Sequence, residues 1–332
     1  MRFGEVGLDQ AQGAILAHSV ILTGGRLRKG LVLGPGDLAL LAAEGVDHVT
    51  VAQLDAGDVD EDSAAARLAA ALVPDPAGQG LAVSQAFTGR VNLNALGPGV
   101  IEVDSAAIHA LNRIDPAITL ATLAPLTRVA KGTLAGTVKI IAYGVDGAAL
   151  ERACAVARAA IRIRPVVLRS ASLILTEVPG LEDKLTAKGR RAIEARLRAL
   201  GMRLADVAVV PHQGPAISAA LARGAGDMLL ILTGSATSDL HDTAPTALRA
   251  AGGHVARFGM PVDPGNLLFL GALGPRPVIG LPGCARSPAL NGADWVLERL
   301  ACGLAVTDDD IAAMGVGGLL KEIPIRPQPR ER

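Results

Sequence analysis

The chain has 332 residues, and its 32 Lys and Arg balance its 32 Asp and Glu. A neutral chain lacks the broad basic surface that binds nucleic acids or anionic membranes, so we expect neither as a partner. Its three widely spaced cysteines form no Cys-x-x-Cys pair, which argues against a disulfide framework and a cysteine zinc site.

Residues 1–7 lack the basic and then apolar pattern of a secretory signal. No uninterrupted apolar run reaches the roughly 18 residues that a membrane span needs. We therefore expect a cytoplasmic protein whose ligand is a small molecule.

The first half of the chain reads as two small α+β segments, 1–75 and 76–163. In the first we predict a strand at 14–22, a helix capped by Asp37, a strand at 46–51 and an Ala-rich helix at 60–72. Pro74 and Pro76 break the chain before the second segment, which contains a buried strand at 137–143. Lys139 lies within that strand and needs a partner or a cleft.

From 164 to 305, apolar runs alternate with amphipathic ones, which predicts a doubly wound α/β domain with a mostly parallel sheet. Ser287 is a good N-cap and Pro288 suits the first helical position, so the last helix of this domain is predicted to run from there to about Cys302. The remaining residues, 306–332, form a carboxyl-terminal extension with a Pro- and Arg-rich tail at 323–332. The predicted strands of the domain are 166–175, 207–210, 228–232, 254–258, 267–270 and 278–279, and its other helices are 185–200, 216–223 and 245–251.

Three loops rich in small residues follow strands of this domain: the first loop (233–242), the middle loop (259–266) and the third loop (280–288). At the carboxyl ends of strands in an open α/β sheet, such turns let the backbone approach a ligand, and the helix that follows presents unpaired N–H groups. The layout predicts a phosphate-binding cleft.

Asp239 and Asp242 stand three residues apart in the first loop. Such a pair holds Mg²⁺ together with a ligand phosphate, or Asp242 simply caps the next helix. Arg286 is the candidate for a bidentate phosphate contact, with a structural salt bridge as the alternative. His212 is either a site residue or an ordinary loop histidine, and we interpret His241 as a solvated loop residue.

Asn266 in the middle loop either hydrogen-bonds a heterocycle or closes an Asx turn on its own backbone. Glu177 either reaches the cleft at its strand end or is a surface carboxylate. Cys284 lies before a helix, where thiol pKa values fall, but no paired base is near it in the sequence.

The three loops together resemble the molybdopterin-binding fold of molybdenum cofactor biosynthesis enzymes, the molybdopterin adenylyltransferases and molybdotransferases. The first loop is similar to their Thr-Gly-Gly loop that ends in Asp, with Ser235 in place of the second Gly. The stretch from Asp263 to Asn266 resembles their Pro-Gly-Lys-Pro segment, and the third loop resembles their Gly-Leu-Pro-Gly-Asn-Pro-x-Ser signature. The chain looks most like a bacterial branch that is often joined to a nucleotidyltransferase domain.

The chain departs from this pattern in two ways. Asp263 and Asn266 stand where molybdotransferases have lysines, and Cys284 replaces the Asn of the last signature. The missing positive charge makes pterin-phosphate binding a firmer expectation than molybdenum insertion.

The resemblance implies molybdopterin as ligand or substrate and Mg²⁺ as cofactor. The backbone amides of 233–238 and 283–287 would hold the phosphate. Asp239 and Asp242, as catalytic residues, would hold Mg²⁺ or orient a water. Asp263 and Asn266 would recognise the pterin. The cofactor-binding residues implied are Thr233, Gly234, Ser235, Ala236, Thr237, Ser238, Pro261, Asp263, Pro264, Gly265, Asn266, Pro282, Gly283, Cys284, Arg286 and Ser287.

The function implied is molybdopterin binding with metal insertion, nucleotide modification or hand-over. A homo-oligomer that works with a nucleotidyltransferase or a molybdoenzyme is expected from the relatives. One alternative is a non-catalytic carrier of the cofactor, which the missing lysines favour. Another is a nucleotide pyrophosphatase of the competence-damage type, which shares the fold.

Overall fold

The computed structural model describes residues 1–179 and 183–320, without the side chains of residues 183 and 184. The predicted tail at 323–332 lies outside these residues. Contacts divide the chain into two units, one formed by Met1–Gly97 with Ile101–Arg164 and the other by Pro98–Val100 with Pro165–Arg332. The boundaries predicted at 75, 163 and 305 stay predictions. No helix in the described ranges is long and apolar enough to cross a membrane.

The first unit is an α+β assembly of short sheets. Its strands are β1 (Arg2–Gly7), β2 (Ile15–Leu16), β3 (Val20–Leu22), β4 (Gly25–Leu27), β5 (His48–Gln53), β6 (Asp58–Asp60), β7 (Leu81–Val83), β8 (Arg90–Ala95), β9 (Gly99–Val103), β10 (Ile118–Thr122), β11 (Arg128–Val129), β12 (Leu134–Ile140), β13 (Gly144–Asp146) and β14 (Ile161–Pro165). Its helices are α1 (Pro35–Ala43), α2 (Glu61–Leu72), α3 (Ser105–Leu111) and α4 (Gly147–Val156).

Three predictions for this unit need correction. The strand expected at 14–22 is two short strands, β2 and β3. Asp37 is not the N-cap of α1: Gly34 holds that position, and the Asp37 carboxylate accepts from its N–H at 2.9 Å, because Pro35 already suits the first helical position. The strand expected at 137–143 is β12, which lies three residues earlier; within it, the Lys139 ammonium donates to the Thr88 carbonyl oxygen.

The second unit is the predicted doubly wound domain. Its strands form one sheet in the order β16-β15-β17-β20-β19-β18, in which the first four are parallel and β19 runs antiparallel to both of its neighbours. The fold class predicted from the sequence is therefore confirmed. The elements are β15 (Ser170–Glu177), α5 (Asp183–Ala199), β16 (Arg203–Pro211), α6 (Gly214–Arg223), β17 (Met228–Leu232), α7 (Thr243–Ala250), β18 (His254–Phe258), β19 (Phe269–Leu273), β20 (Arg276–Leu281), α8 (Gly292–Ala301) and α9 (Asp308–Ala313).

Helices cover both faces of this sheet. Ile193 and Leu197 of α5 pack with α8 in one core, whereas Ile217 of α6 and Leu248 of α7 pack in the core on the other face. The connection that leaves β17 therefore goes to the opposite face from those that leave its neighbours β15 and β20. Ligands bind in the crevices that open where connections diverge in this way. Both crevices border the first loop.

The closing helix does not begin at Ser287 as predicted. Residues Gly283–Arg286 form a short 3₁₀ turn, and α8 starts only at Gly292, capped by Asn291, whose side chain accepts from the Ala293 N–H at 2.9 Å. The backbone of Ser287 is extended instead, and the carbonyl oxygens of Ser287 and Ala289 accept hydrogen bonds from a buried arginine, described below, which holds this segment outside the helix.

Candidate functional site

The register of the sheet brings the predicted loops to one edge. Glu177 lies opposite Pro211, Leu175 opposite Leu232, and Leu232 opposite Leu281, so the parallel strands end side by side. The middle loop begins at this edge too, because β18 runs in the same direction as β20. The three loops therefore begin at one edge of the sheet, where the sequence predicts a phosphate-binding cleft.

Thr176, which sequence reasoning missed, anchors the start of the first loop. Its side chain is buried, and its hydroxyl oxygen accepts from the Gly234 N–H at 2.8 Å. The same oxygen lies 2.8 Å from Nδ1 of His212. His212 thus belongs to the site through a hydroxyl group between it and the loop. The signal available in the sequence was only a polar residue at the end of an apolar strand.

Within the first loop, Asp242 acts as the cap that we gave as one alternative. Its carboxylate accepts from the N–H groups of Ser238 at 2.9 Å and Thr243 at 2.6 Å, and it precedes α7 as N-cap. Those two amides, the first above all, lower the pKa of Asp242. Asp239 is exposed and accepts from the His241 N–H at 2.7 Å.

Three consecutive amides of this loop have no acceptor among the described residues. Within the described ranges, the N–H groups of Ser235, Ala236 and Thr237 donate to no protein oxygen, while the amides on either side of them are engaged. A run of free amides in a tight loop concentrates partial positive charge and forms an anion-binding concavity.

Arg286 joins the third loop to the first. Its Nη2 donates to the Thr233 carbonyl oxygen at 2.5 Å, and its Nη1 lies 3.5 Å from the Gly283 carbonyl oxygen. Burial lowers the pKa of this guanidinium, and among the described residues no carboxylate pairs with it. The salt bridge that we gave as the alternative is absent there. A half-buried cation held only by carbonyl groups still has its full charge to offer an anion.

Arg196 of α5 holds the third loop through hydrogen bonds to its backbone, a role that the sequence analysis did not predict. Its guanidinium donates to the carbonyl oxygens of Ala285, Ser287 and Ala289 and pairs with the Asp294 carboxylate at 2.5 Å. Both side chains of the pair are about nine-tenths buried. The sequence held one signal, because Arg196 follows Ile193 by three residues and therefore lies on the apolar stripe of the helix.

The middle loop lies against the start of α8 and the third loop. The Pro264 carbonyl oxygen accepts from the Gly292 N–H at 2.8 Å. Burial raises the pKa of the Cys284 thiol, and the negative charge of Asp263 adds to this effect. Cys284 therefore lacks the lowered pKa of a nucleophilic cysteine. Asn266 is exposed, and its amide lies 3.4 Å from the Met260 carbonyl oxygen of its own loop.

The structure therefore brings together the predicted residues of the first and third loops, which are joined by the bond from Arg286 to Thr233. The Asn266 side chain makes its described contact within the middle loop and none with the first or third. No group of three or more His, Cys, Asp or Glu side chains in the described residues is arranged to hold a metal. Any metal here would depend on the two aspartates of the first loop and on ligand oxygens.

Family models match two parts of the chain. Residues 173–301 match a family model described as a probable molybdopterin binding domain, and residues 5–53 match a domain of unknown function. No curated protein sequence matches the chain.

Two solved structures are similar at low identity. The molybdopterin biosynthesis MoeA protein of Pyrococcus horikosii is 13% identical, with a TM-score of 0.32, and the match covers 91% of this chain and 75% of that one. A molybdenum cofactor biosynthesis protein of Pyrococcus furiosus is 13% identical, with a TM-score of 0.22, and the match covers 90% of this chain and 61% of that one. The family-model match agrees with the resemblance seen in the loops: residues 173–301 are similar to the molybdopterin-binding domain of molybdenum cofactor biosynthesis proteins.

Proposed function

We propose that the second unit binds molybdopterin through its terminal phosphate, in the crevice between the first and third loops. The observation that carries the proposal is the run of free amides at Ser235, Ala236 and Thr237, next to the half-buried Arg286, which is bonded to the same loop. Amide donors and a guanidinium together match the oxygens of a phosphate in both charge and geometry.

Mg²⁺ fits the carboxylates of the first loop in donor type. Asp239 is exposed, and each Asp242 oxygen that accepts from an amide keeps a second lone pair. Mg²⁺ is commonly bound by one or two carboxylates, with phosphate oxygens and waters completing its shell. In this proposal Asp239 and Asp242 hold the ion, which would neutralise charge on the bound phosphate.

A non-catalytic carrier is the second candidate, and the middle loop favours it. Asp263 and Asn266 stand in the middle loop where positive charge is expected in enzymes that handle molybdate. The raised pKa of the Cys284 thiol lowers its thiolate fraction, which disfavours a covalent route. A protein with these features holds the cofactor by its phosphate and passes it on, to a nucleotidyltransferase or to an apo-molybdoenzyme.

Calorimetric titration of the full chain with molybdopterin, with and without Mg²⁺, tests the proposal. We expect binding that Mg²⁺ strengthens and that Asp239→Asn renders insensitive to Mg²⁺. Lys188→Gln, an exposed change on α5 with no described contact to the loops, serves as the control. An absence of binding under both conditions would reject the proposal.

A single incubation distinguishes a carrier of the cofactor from an enzyme that modifies it. The purified chain is mixed with molybdopterin, molybdate and a magnesium nucleotide, and the bound cofactor is then recovered and analysed by mass spectrometry. Unchanged molybdopterin supports the carrier, whereas a metallated or nucleotidylated product identifies a transferase.

A further inference from the structure

His212 follows β16 and contacts the residue that anchors the first loop. Its backbone N–H donates to the Glu177 carbonyl oxygen at 2.9 Å, which continues the pairing of β16 with β15 for one residue beyond the strand. Side chains along a strand alternate between the two faces of a sheet, so His212 shares the face of Val210, and Thr176 shares the face of Ile174. Val210 and Ile174 both pack in the core against α6 and α7. The imidazole therefore contacts Thr176 on the face that carries α7, the helix that follows the first loop.

The hydroxyl proton of Thr176 determines which imidazole nitrogen is protonated. Thr176 is 2% exposed, and its oxygen already accepts from the Gly234 N–H. A buried hydroxyl proton that lacks an acceptor costs the desolvation of that donor. Within the described ranges, the one acceptor in reach is Nδ1 of His212, at 2.8 Å. The hydroxyl group therefore donates to Nδ1, and a neutral His212 carries its own proton on Nε2.

The Nε2–H group of His212 is a donor without a partner. Among the described residues no oxygen accepts from it, although the side chain is half-buried. Two hydrogen bonds in series join the imidazole to the first loop, through the Thr176 hydroxyl group to the Gly234 amide. The free amides of the loop begin at the next residue, Ser235. A fixed donor thus lies beside the anion-binding part of the loop.

One peptide group of the first loop is held from both sides. The Thr233 carbonyl oxygen accepts from Arg286, and the N–H of the same peptide, which belongs to Gly234, donates to Thr176. This peptide is trans, so its C=O and N–H groups point in opposite directions. An anion on the amides that follow is therefore flanked by a guanidinium on one side and, behind Thr176, by the imidazole of His212 on the other.

We infer that His212 contacts the ligand, with its Nε2–H donating to a phosphoryl oxygen of the anion that the free amides hold. The inference rests on the proposed function, because it takes that anion to lie at the first loop. Thr176 is then a positioning residue, since its hydroxyl group fixes both the protonated nitrogen and the orientation of the ring. The neutral imidazole adds a directed hydrogen bond to the charge that Arg286 supplies.

NMR of the imidazole nitrogens tests the position of the proton. The chain has six histidines, so the signals of His212 can be identified in the ¹⁵N-labelled full chain by their loss in His212→Gln. At about pH 8, where an ordinary imidazole is neutral, we expect the Nε2–H form and a shift of the Nε2 signal when inorganic phosphate is added. Thr176→Val should allow the Nδ1–H form to appear. An Nδ1–H form in the wild type, or an Nε2 signal that phosphate leaves unchanged, would overturn the inference.

Two substitutions separate the donor for the ligand from the contact with Thr176. The amide nitrogen of His212→Gln lies as many bonds from the backbone as Nε2 does, whereas that of the shorter His212→Asn corresponds to Nδ1. Calorimetric titration with molybdopterin should show near wild-type affinity for the glutamine variant and at least about tenfold weaker binding for the asparagine variant. His254→Gln, an exposed histidine at the start of β18, is the matched control and should bind as the wild type does.

An asparagine variant that is folded in a thermal melt and binds molybdopterin as tightly as the wild type would contradict the contact. The two proposals fail separately in this design. Molybdopterin that binds equally to the wild type and to both His212 variants leaves the phosphate site standing without His212. A response of Nε2 to inorganic phosphate, in a chain that does not bind molybdopterin, supports the role of His212 and removes the pterin.

Discussion

The guanidinium of Arg286 donates to the carbonyl oxygen of Thr233 at 2.5 Å, across the gap between two adjacent parallel strands. The first loop begins at Thr233, so this bond fixes the position from which the loop's free amides project. Through Arg286, the third loop therefore contributes a positive charge to the crevice and also a hydrogen bond that holds the first loop in place.

Replacing Arg286 separates the charge from the brace. Arg286→Met removes both, and we expect molybdopterin affinity to fall at least tenfold, as for loss of a charge-assisted phosphate contact. Arg286→Lys keeps the charge but lacks the planar guanidinium, so its molybdopterin affinity should lie between those of the wild type and Arg286→Met. Titration calorimetry measures the affinities, and urea unfolding shows whether the fold is retained. A methionine variant that is folded and binds as the wild type does would contradict this role.

Thr176 connects the loop to the sheet, and its hydroxyl group is the part that matters. Thr176→Val keeps the buried shape but leaves the Gly234 N–H without its acceptor, which we expect to cost about 1–3 kcal/mol in the free energy of unfolding. Thr176→Ser restores the hydroxyl and should recover most of that loss. Urea denaturation of the three proteins measures the difference. Equal stability of the valine and serine variants would show that the hydroxyl group contributes nothing.

The sequence was sufficient to locate the strands and loops of the second unit, because both depend on local patterns. The strand predicted at 228–232 has the same bounds in the structure, and the first loop follows it as expected. It was not sufficient for the contacts that brace the loops. Thr176 and Gly234 are 58 residues apart, and Arg196 and Asp294 are 98 residues apart. Nothing local marks a residue whose partner is brought to it only by the packing of the whole domain.

The wrong start of the closing helix has the same origin. Ser287 followed by Pro288 is a sound local signal for a helix start. The guanidinium of Arg196 competes for the carbonyl oxygens of that segment, and Asn291 with Asp294 provides a second capping pair a few residues later. A tertiary contact therefore decided between two local signals that the sequence offered together.

The buried pair of Arg196 and Asp294 should be strongly coupled to stability. Arg196→Met leaves the Asp294 carboxylate buried without its partner, which we expect to cost about 3–5 kcal/mol. Arg198→Met on the same helix breaks an exposed pair with Glu194 and should cost less than about 1 kcal/mol. Urea unfolding of both variants gives the comparison. Similar costs for the two would mean that the buried pair does not organise the third loop.

Asp242 has two proposed roles, a helix cap and a magnesium ligand, and two substitutions separate them. Asp242→Ala removes the cap of α7 and should cost about 1 kcal/mol at pH 7. Asp242→Asn keeps only one of the two accepting oxygens, so it should retain part of the cap and be destabilised less than Asp242→Ala at pH 7. The asparagine variant should nevertheless lose the strengthening of molybdopterin binding by Mg²⁺, because an amide is a weaker ligand for a hard cation.

The pH dependence of stability gives an independent test of the cap. The amides of Ser238 and Thr243 lower the pKa of Asp242 in the folded state, so its ionised form stabilises the fold at pH values above the pKa of the unfolded chain, about 4. That contribution is lost as the pH falls through the lowered pKa. The stability gap between wild type and Asp242→Ala, measured by urea unfolding at pH 7 and pH 3, should therefore narrow at the acid end. A stability gap that stays constant between the two pH values would mean that the charge of Asp242 does not contribute to the cap. Binding of Mg²⁺, tested with Asp242→Asn, would then be the only role left for that charge.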